Sequence, residues 1–145
     1  MVVNPIVTNL FIKTGPNTSM LPVDQVQAVA EKGIEGDRAY GRTKRQVLLV
    51  SSQVLDSLGL EPGDVRENIT VDDLDVDNLE PGTILKIGSA ELQITKPCEP
   101  CWKMDRIRPG LQAQLEGQRG MLARVIKSGQ IASGDSILIQ SPSTT

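Results

Sequence analysis

Glycine and proline residues divide this chain into short runs that are rich in β-branched residues. The 145 residues include 13 glycines and 9 prolines but only three aromatic side chains, which are Phe11, Tyr40 and Trp102. An apolar core therefore has to be built from valine, isoleucine and leucine, and the first two of these favour strands. Such runs predict strands at residues 5–13, 25–30, 47–50, 68–71, 84–87, 91–96, 121–127 and 136–140.

The many short strands and the few helical patterns together predict the fold class. One helix is predicted to begin after Ser51 or Ser52, either of which can serve as its N-cap, and to end at Gly59. A weaker helical pattern covers residues 111–116, and the run 25–30 fits a helical turn as well as a strand. We expect a mainly β fold, a closed or nearly closed β-barrel with a few short helices. A single domain over residues 1–145 is expected, with its core from about 7 to 139 and a flexible tail at 141–145.

The charge and hydropathy of the chain narrow its possible partners and location. Its 18 acidic and 15 basic residues give a net charge of -3, which does not favour binding to nucleic acid or to an anionic membrane. Residues 61–80 hold eight acidic side chains against Arg66 alone, so the rest of the chain is net positive. Neither a signal-peptide pattern nor an apolar run of membrane-spanning length is found. We therefore expect a cytoplasmic protein with reduced thiols and with no nucleic-acid or membrane partner.

The segment at residues 96–103, KPCEPCWK, holds both cysteines of the chain, Cys98 and Cys101. A thiolate attacks electrophilic sulfur, accepts a persulfide or binds a soft metal, and nearby positive charge promotes these reactions. Lys96 and Lys103 supply such charge within the segment, and Arg106 and Arg108 follow it closely in sequence. Because the chain contains no histidine, histidine-based hydrolysis is excluded and a closed zinc site with four ligands is disfavoured.

Two other interpretations of the cysteine pair are considered. Cys98 and Cys101 could be two small buried apolar residues, since free cysteine is commonly buried. Their spacing also matches a thioredoxin-like redox motif, but that motif lies at the start of a helix in an α/β unit. Here the pair follows a predicted strand, with Pro97 and Pro100 beside it, so this context does not fit thioredoxin.

The glycine-rich segment at residues 33–38, GIEGDR, carries no nucleotide-binding signature. Gly33 and Gly36 are expected to supply tight backbone geometry. Arg38 could pair with Asp37, or it could bind an anion. Composition alone favours the structural alternative.

The order of several short motifs along the chain resembles that of a known family. The motifs are residues 33–38 (GIEGDR), 66–71 (RENITV), Gly88, 100–104 (PCWKM), 120–125 (GMLARV), Gly129 and the pair at 134–135. The series resembles the MOSC domain, named for the C-terminal domain of molybdenum cofactor sulfurases, over residues 7 to 139. One departure is Ala39, where many members have histidine after Gly-Asp-Arg.

This resemblance implies a β-barrel in which Cys101 is the functional thiol and binds molybdenum or handles sulfur for its cofactor. Phosphate and pterin binding would need cationic or hydrogen-bonding groups near that thiol. The cofactor-binding candidates are Arg38, Lys96, Lys103, Arg124, Asn68 and Cys98. Pyridoxal phosphate is expected only through a separate partner desulfurase, since no domain for it is present.

The expected function is that of a molybdenum cofactor-binding protein. It would carry sulfur or cofactor to a target, or hold the metal for the reduction of N-hydroxylated substrates, so the resemblance leaves open whether it is an enzyme. The expected partners are molybdopterin and sulfur-donor or sulfur-acceptor proteins. One alternative is a metal-free dithiol redox protein or persulfide carrier that uses Cys98 and Cys101, and another is a binding module that works within a complex.

Overall fold

The computed structural model describes residues 4–16 and 18–142. Within these residues the chain forms eleven strands, three short α-helices and one 3₁₀ turn, Val76–Asn78. The strands are β1 Ile6–Ile12, β2 Leu21–Val23, β3 Gln25–Val29, β4 Gly33–Ile34, β5 Val47–Ser51, β6 Ile69–Asp72, β7 Ile84–Ile87, β8 Ala90–Pro97, β9 Met121–Lys127, β10 Gly129–Ala132 and β11 Ile137–Gln140. The helices are α1 Ser52–Ser57, α2 Met104–Ile107 and α3 Leu111–Gln114.

The strands form two sheets, one large and one small. Eight strands follow the order β11-β7-β8-β9-β5-β6-β1-β2, and three follow the order β10-β3-β4. The mainly β class with few short helices is thus confirmed. The sheets are not closed, so the expected barrel is not confirmed. The chain before β11 meets β1 through an isolated bridge between Ser136 and Ile6, which does not extend into a ladder.

Strand β5 is an inner strand of the large sheet, and apolar side chains pack on both of its faces. All five of its residues are buried, as the continuous apolar run predicts. Val47 and Leu49 point into one apolar cluster, whereas Leu48 and Val50 point into a second one. Because successive side chains of a strand face opposite sides, β5 separates two cores. The second core also contains residues of α1, α2 and α3, so these helices cover that face of the sheet.

Most elements lie where the sequence pattern predicts them. Helix α1 begins at Ser52, and Gly59 beyond its end has a left-handed φ of 69°. Residues 25–30 form a strand, β3, and the weaker helical pattern corresponds to α3. The short elements β2, β4, β10 and α2 were not predicted. Strands β2 and β4 hold only three and two residues, and runs of that length carry little periodic signal. The expected flexible tail falls mostly on residues 143–145, which lie outside the described residues.

In the described part of the chain, no helix is long and apolar enough to cross a membrane.

Candidate functional site

An open cleft of about 470 Å³ lies against the second core. It brings together segments that are far apart in sequence, including the end of β1, the turns before β5 and β6, and the cysteine segment. Of the predicted site residues, Arg38, Asn68, Cys98, Cys101 and Lys103 line this cleft. The tertiary structure thus joins the Gly-Asp-Arg segment to the cysteine segment, as the family resemblance implied.

The charge of the cleft is strongly positive. Eight of the chain's fifteen lysines and arginines line it, whereas Asp37 is its one carboxylate. The cations fall into two groups by exposure. Lys13, Arg66 and Arg119, here called the inner cations, are buried or half-buried. The outer cations are exposed, and they are Arg38, Arg42, Arg45, Lys103 and Arg106. A protein with a net charge of -3 therefore concentrates positive potential at this one place, which attracts anions.

Asp37 is buried and is used within the fold. One of its oxygens accepts hydrogen bonds from the backbone N–H of Lys13 at 2.8 Å and from the side-chain amide of Asn68 at 2.9 Å. The other accepts the backbone N–H of Ala39 at 2.9 Å. The carboxylate thereby ties the Gly-Asp-Arg turn to the end of β1 and to the residue before β6.

The side chain of Asn68 extends this network through two hydrogen bonds with backbone groups. Its side-chain oxygen accepts the backbone N–H of Leu48 at 3.0 Å, and its amide nitrogen also donates to the carbonyl of Phe11 at 3.2 Å. Asn68 is 4% exposed, and both hydrogens of its amide are engaged. This predicted cofactor-binding residue therefore positions the cleft wall instead of offering a free donor to a ligand.

Arg38 is presented on a tight turn. Gly33 and Gly36 have φ angles of 118° and 84°, a conformation that side chains disfavour, so both glycines supply the geometry expected of them. The backbone N–H of Arg38 donates to the carbonyl of Lys13 at 2.7 Å, and the side chain is exposed in the cleft. Within the described residues, 4–16 and 18–142, the only ion pairs are Arg124–Glu31 and Lys127–Glu91. The alternative in which Arg38 pairs with Asp37 is thus not what the structure shows.

The two cysteines line the same cleft but differ in exposure. Both are free thiols; Cys98 is 8% exposed, whereas Cys101 is exposed. The backbone N–H of Cys98 donates to the carbonyl of Gly120 at 2.9 Å, which anchors the start of the cysteine segment to the chain before β9. Cys101 is therefore the thiol that a molecule entering the cleft can reach.

Arg119 is the least exposed of the three inner cations. It is 7% exposed, and its Nη1 has no hydrogen-bond partner among the described residues. The next residue, Gly120, has a φ of 103°, and a Cβ there would overlap the carbonyl of Leu49. The backbone N–H of Gly120 donates to the carboxylate of Asp77 at 2.9 Å. A buried, charged donor without a partner is costly, so Arg119 is a group for which the fold provides no internal ligand.

Lys13 lies within electrostatic range of both other inner cations. Burial lowers the pKa of its amine below the usual 10.5, and the positive charges of Arg66 and Arg119 lower it further. Asp37 and Cys98 act in the opposite direction. This lysine gives up its proton more readily than an exposed one, and an anion bound beside it would raise the pKa again.

Two predicted cofactor-binding residues do not line the cleft. Arg124 on β9 pairs with Glu31 at 3.1 Å and donates to Gln93 at 3.0 Å. Lys96 is exposed near the end of β8. Both were chosen for their charge and their sequence position, and the paths of β8 and β9 carry them away from the cleft lining.

Five cations of the cleft were not singled out by the sequence: Lys13, Arg42, Arg45, Arg66 and Arg119. One signal was available, since residues 38–45 hold four cations and no acidic residue. The inner cations are single basic residues in separate segments, so only the tertiary structure groups them. No set of three or more His, Cys, Asp or Glu side chains that could hold a metal exists in the described ranges.

Comparison with protein families identifies the chain. The family model described as MOSC domain matches residues 36–138, which is most of the sequence and includes both cysteines, Arg38 and Arg119. The chain belongs to the MOSC domain family. Lys13 lies outside the matched range, although it lines the same cleft as the matched residues.

Solved structures share the fold of this MOSC protein at low sequence identity. YuaD from Bacillus subtilis superposes with a TM-score of 0.82 at 19% identity, over 97% of each chain. YiiM from Geobacillus stearothermophilus gives a TM-score of 0.76 at 21% identity, over 94% of this chain and 75% of its own. YiiM from Escherichia coli gives 0.73 at 22%, over 99% and 73%. No curated protein matches the sequence.

Proposed function

We propose that this MOSC protein binds molybdenum cofactor in the cationic cleft, with Cys101 as the thiolate ligand of the metal. The observation that carries this proposal is the buried guanidinium of Arg119, whose Nη1 lacks a partner in the described protein. It lies in a cleft that also holds an exposed thiol. An anionic ligand with a thiol-binding metal satisfies both features at once.

The residues of the cleft fit the chemical groups of that cofactor. The inner cations Lys13, Arg66 and Arg119 suit its phosphate, because arginine offers planar paired donors to phosphate oxygens. Cys101 suits the metal, since molybdenum in this cofactor prefers sulfur ligands. The phosphate would also remove the electrostatic cost of placing three cations close together.

The reaction that we propose is the reduction of N-hydroxylated small molecules. In this reaction R–NHOH takes up two electrons and two protons and yields R–NH₂ and water, with a reduced donor protein as the source of electrons. When bound, the cofactor supplies two-electron redox chemistry at the metal. The chain supplies the thiol of Cys101, the anion-binding groups, and at Lys13 Nζ a proton that is held less tightly than in an ordinary lysine.

Sulfur transfer is a second candidate function, which the placement of the cysteines favours. Cys98 and Cys101 line one cleft, and the more exposed Cys101 could carry a persulfide for a sulfur-donor or sulfur-acceptor protein. A separate desulfurase would have to supply the sulfur, and any pyridoxal phosphate would belong to that partner. The same cleft would serve as a metal-free dithiol site.

Metal and pterin analysis separates these functions. The protein is purified anaerobically from a host that makes molybdenum cofactor, and molybdenum and oxidised pterin are quantified per chain. Near-stoichiometric amounts of both are expected, and Arg119→Gln should lower both together. Lys127→Gln, which removes a cation outside the cleft, serves as the matched control. Protein that lacks both metal and pterin but carries a persulfide on Cys101 would reject the cofactor proposal in favour of sulfur transfer.

A further inference from the structure

The outer cations exceed what the proposed cofactor requires. A phosphate monoester carries roughly two negative charges at neutral pH, and the three inner cations already balance them. Arg38, Arg42 and Arg45 line the cleft from the segment before β5, while Lys103 and Arg106 line it from the segment that runs from Cys101 into α2. In the described ranges of the chain, none of these five forms an ion pair with a carboxylate.

The segment that carries Arg38, Arg42 and Arg45 concentrates charge of one sign. Residues 38–45 also contain Lys44 and no acidic residue, so four cations occupy eight positions. Mutual repulsion makes such a cluster unfavourable in the absence of an anion. Asp37 is the one carboxylate that lines the cleft, and its oxygens accept hydrogen bonds from within the fold.

The segment that contains Cys101 places the exposed thiol among cations. Cys101, Lys103 and Arg106 belong to one short segment and line the cleft together. The guanidinium of Arg106 lies 4.4 Å from the ring centroid of Trp102, a distance typical of cation–π stacking. This contact restrains a charged group near Cys101.

One exposed aromatic side chain adjoins the cleft-lining cations of each segment in sequence, although neither aromatic residue belongs to the lining itself. Tyr40 is 43% exposed and Trp102 is 57% exposed, and these are two of the three aromatic residues in the chain. Tyrosine, tryptophan and arginine provide flat apolar surface together with polar or charged groups, a combination that suits a planar ligand with an acid group.

We infer that the substrate of the proposed reduction carries an acid group on a planar ring, and that Arg38, Arg42 and Arg45 bind this acid while the N-hydroxylated group faces Cys101. This inference rests on the proposed function for the reaction, but the preference for an anionic ligand can be tested without the cofactor. Exposed ion pairs contribute little individually, so we assign the selectivity to the three arginines acting together.

The direct test uses Trp102 as the reporter, because it is the only tryptophan in the chain. Cofactor-free protein is titrated with 4-carboxybenzamidoxime and with the neutral compound of matched size and shape, 4-carbamoylbenzamidoxime. At low ionic strength, the acid should bind about tenfold more tightly by fluorescence quenching. The difference should shrink at high salt, because screening weakens exposed charge pairs.

A pair of double variants tests which cations produce the difference. Arg42→Gln with Arg45→Gln should remove most of the preference for the acid and leave binding of the neutral compound unchanged. Lys86→Gln with Lys127→Gln removes the same amount of charge from strands β7 and β9 and should retain the preference. Equal affinity of the native protein for the two compounds would overturn the inference, as would an unchanged preference in the arginine variant.

Turnover by cofactor-loaded protein distinguishes failure of the inference from failure of the proposed function. Reduction of both compounds with a KM about tenfold lower for the acid supports both proposals. Reduction of both with equal KM rejects the inference and leaves the reductase function standing. If neither compound is reduced but the fluorescence preference persists, the reaction is wrong while the anion-selective site is upheld.

Discussion

The side-chain amide of Asn68 donates to the carboxylate of Asp37 at 2.9 Å, which joins two motifs that lie 31 residues apart. Asn68 also bonds to the backbone of Leu48 and of Phe11, so one buried side chain holds β1, β5 and the Gly-Asp-Arg turn together. The relationship explains how the cleft is kept in shape, and it makes Asn68 a positioning residue.

The first prediction concerns the stability of Asn68→Ala. Removing this amide leaves the backbone N–H of Leu48 and the carbonyl of Phe11 without this partner, and it takes one of three hydrogen bonds from the buried carboxylate of Asp37. We expect a loss of about 3 kcal/mol in the free energy of unfolding, since each buried unsatisfied group costs about 1–3 kcal/mol. Urea denaturation measures it. The exposed Asn78→Ala should lose less than half as much, and a similar loss in both variants would contradict the network.

The second prediction separates the two roles considered for Arg38. In Arg38→Ala the backbone bond to Lys13 is retained, and no ion pair is lost. The preference of cofactor-free protein for the acid compound over the neutral one should therefore fall severalfold, while the free energy of unfolding changes by less than about 0.5 kcal/mol. A thermal melt and the fluorescence titration on the same preparation test this. A large drop in melting temperature with the preference per folded molecule unchanged would show that Arg38 is a structural strut.

The third prediction compares the two thiols. Iodoacetamide should label the exposed Cys101 well before the buried Cys98, as peptide mass mapping can establish. Cys101→Ser should remove most of the bound molybdenum, whereas Cys98→Ser should reduce it less. If both replacements abolish binding equally, the two cysteines act as a pair and the dithiol alternative gains support.

The fourth prediction follows from the environment of Lys13. Burial and neighbouring cations hold its folded pKa below the unfolded value of 10.5, so the folded state binds this proton less tightly than the unfolded chain does. The associated stability is complete above pH 10.5 and is lost as the pH falls through the folded pKa. At pH 7 the charged lysine is therefore unfavourable, and Lys13→Met should raise the Tm of cofactor-free protein by about 2 °C.

The advantage of Lys13→Met should shrink as the pH rises towards 10.5. Lys127→Met, at an exposed site outside the cleft, should show no such trend. Calorimetry at several pH values gives the comparison, and a pH-independent difference for Lys13→Met would exclude the electrostatic explanation.

The fifth prediction concerns Asp77, which supports the chain next to Arg119. Burial raises the pKa of this carboxyl above 3.8, and Asp75 adds to the effect, although the Gly120 N–H opposes it. The folded state thus holds the proton more tightly, so the resulting stability is present below pH 3.8 and is lost as the pH rises through the folded pKa.

Asp77→Asn keeps an acceptor for Gly120 and removes the charge, so it should raise the Tm slightly at pH 7. The difference should vanish on acidification towards pH 3.8. Asp77→Ala lacks that acceptor and should instead lower the Tm and reduce cofactor loading through the loosened Arg119. Equal behaviour of the two variants would mean that the bond to Gly120 is unimportant.

Local pattern was sufficient to predict much of the secondary structure. The buried run of β5, the alternation in β8 and the Gly59 stop of α1 each arise within a few residues, because side-chain periodicity and backbone preference act locally. The cysteine segment could be recognised for the same reason, since all of its reactive groups are neighbours in sequence. The family resemblance then predicted that Arg38 and Cys101 belong to one site, and both line the cleft.

The composition of the cleft was decided by the tertiary structure. Arg124 and Lys96 fitted the expected charge but are carried away from the cleft by the paths of β9 and β8. Lys13 and Arg119 had no local signal, yet they converge because β1 and the chain before β9 end at the same place. Pairing between strands that are far apart in the chain decides which distant residues become neighbours. No local pattern in a single sequence indicates that pairing. The sequence by itself thus determined where the strands form and where the two thiols lie along the chain. The packing of those strands determined which cations line the cleft together with the thiols.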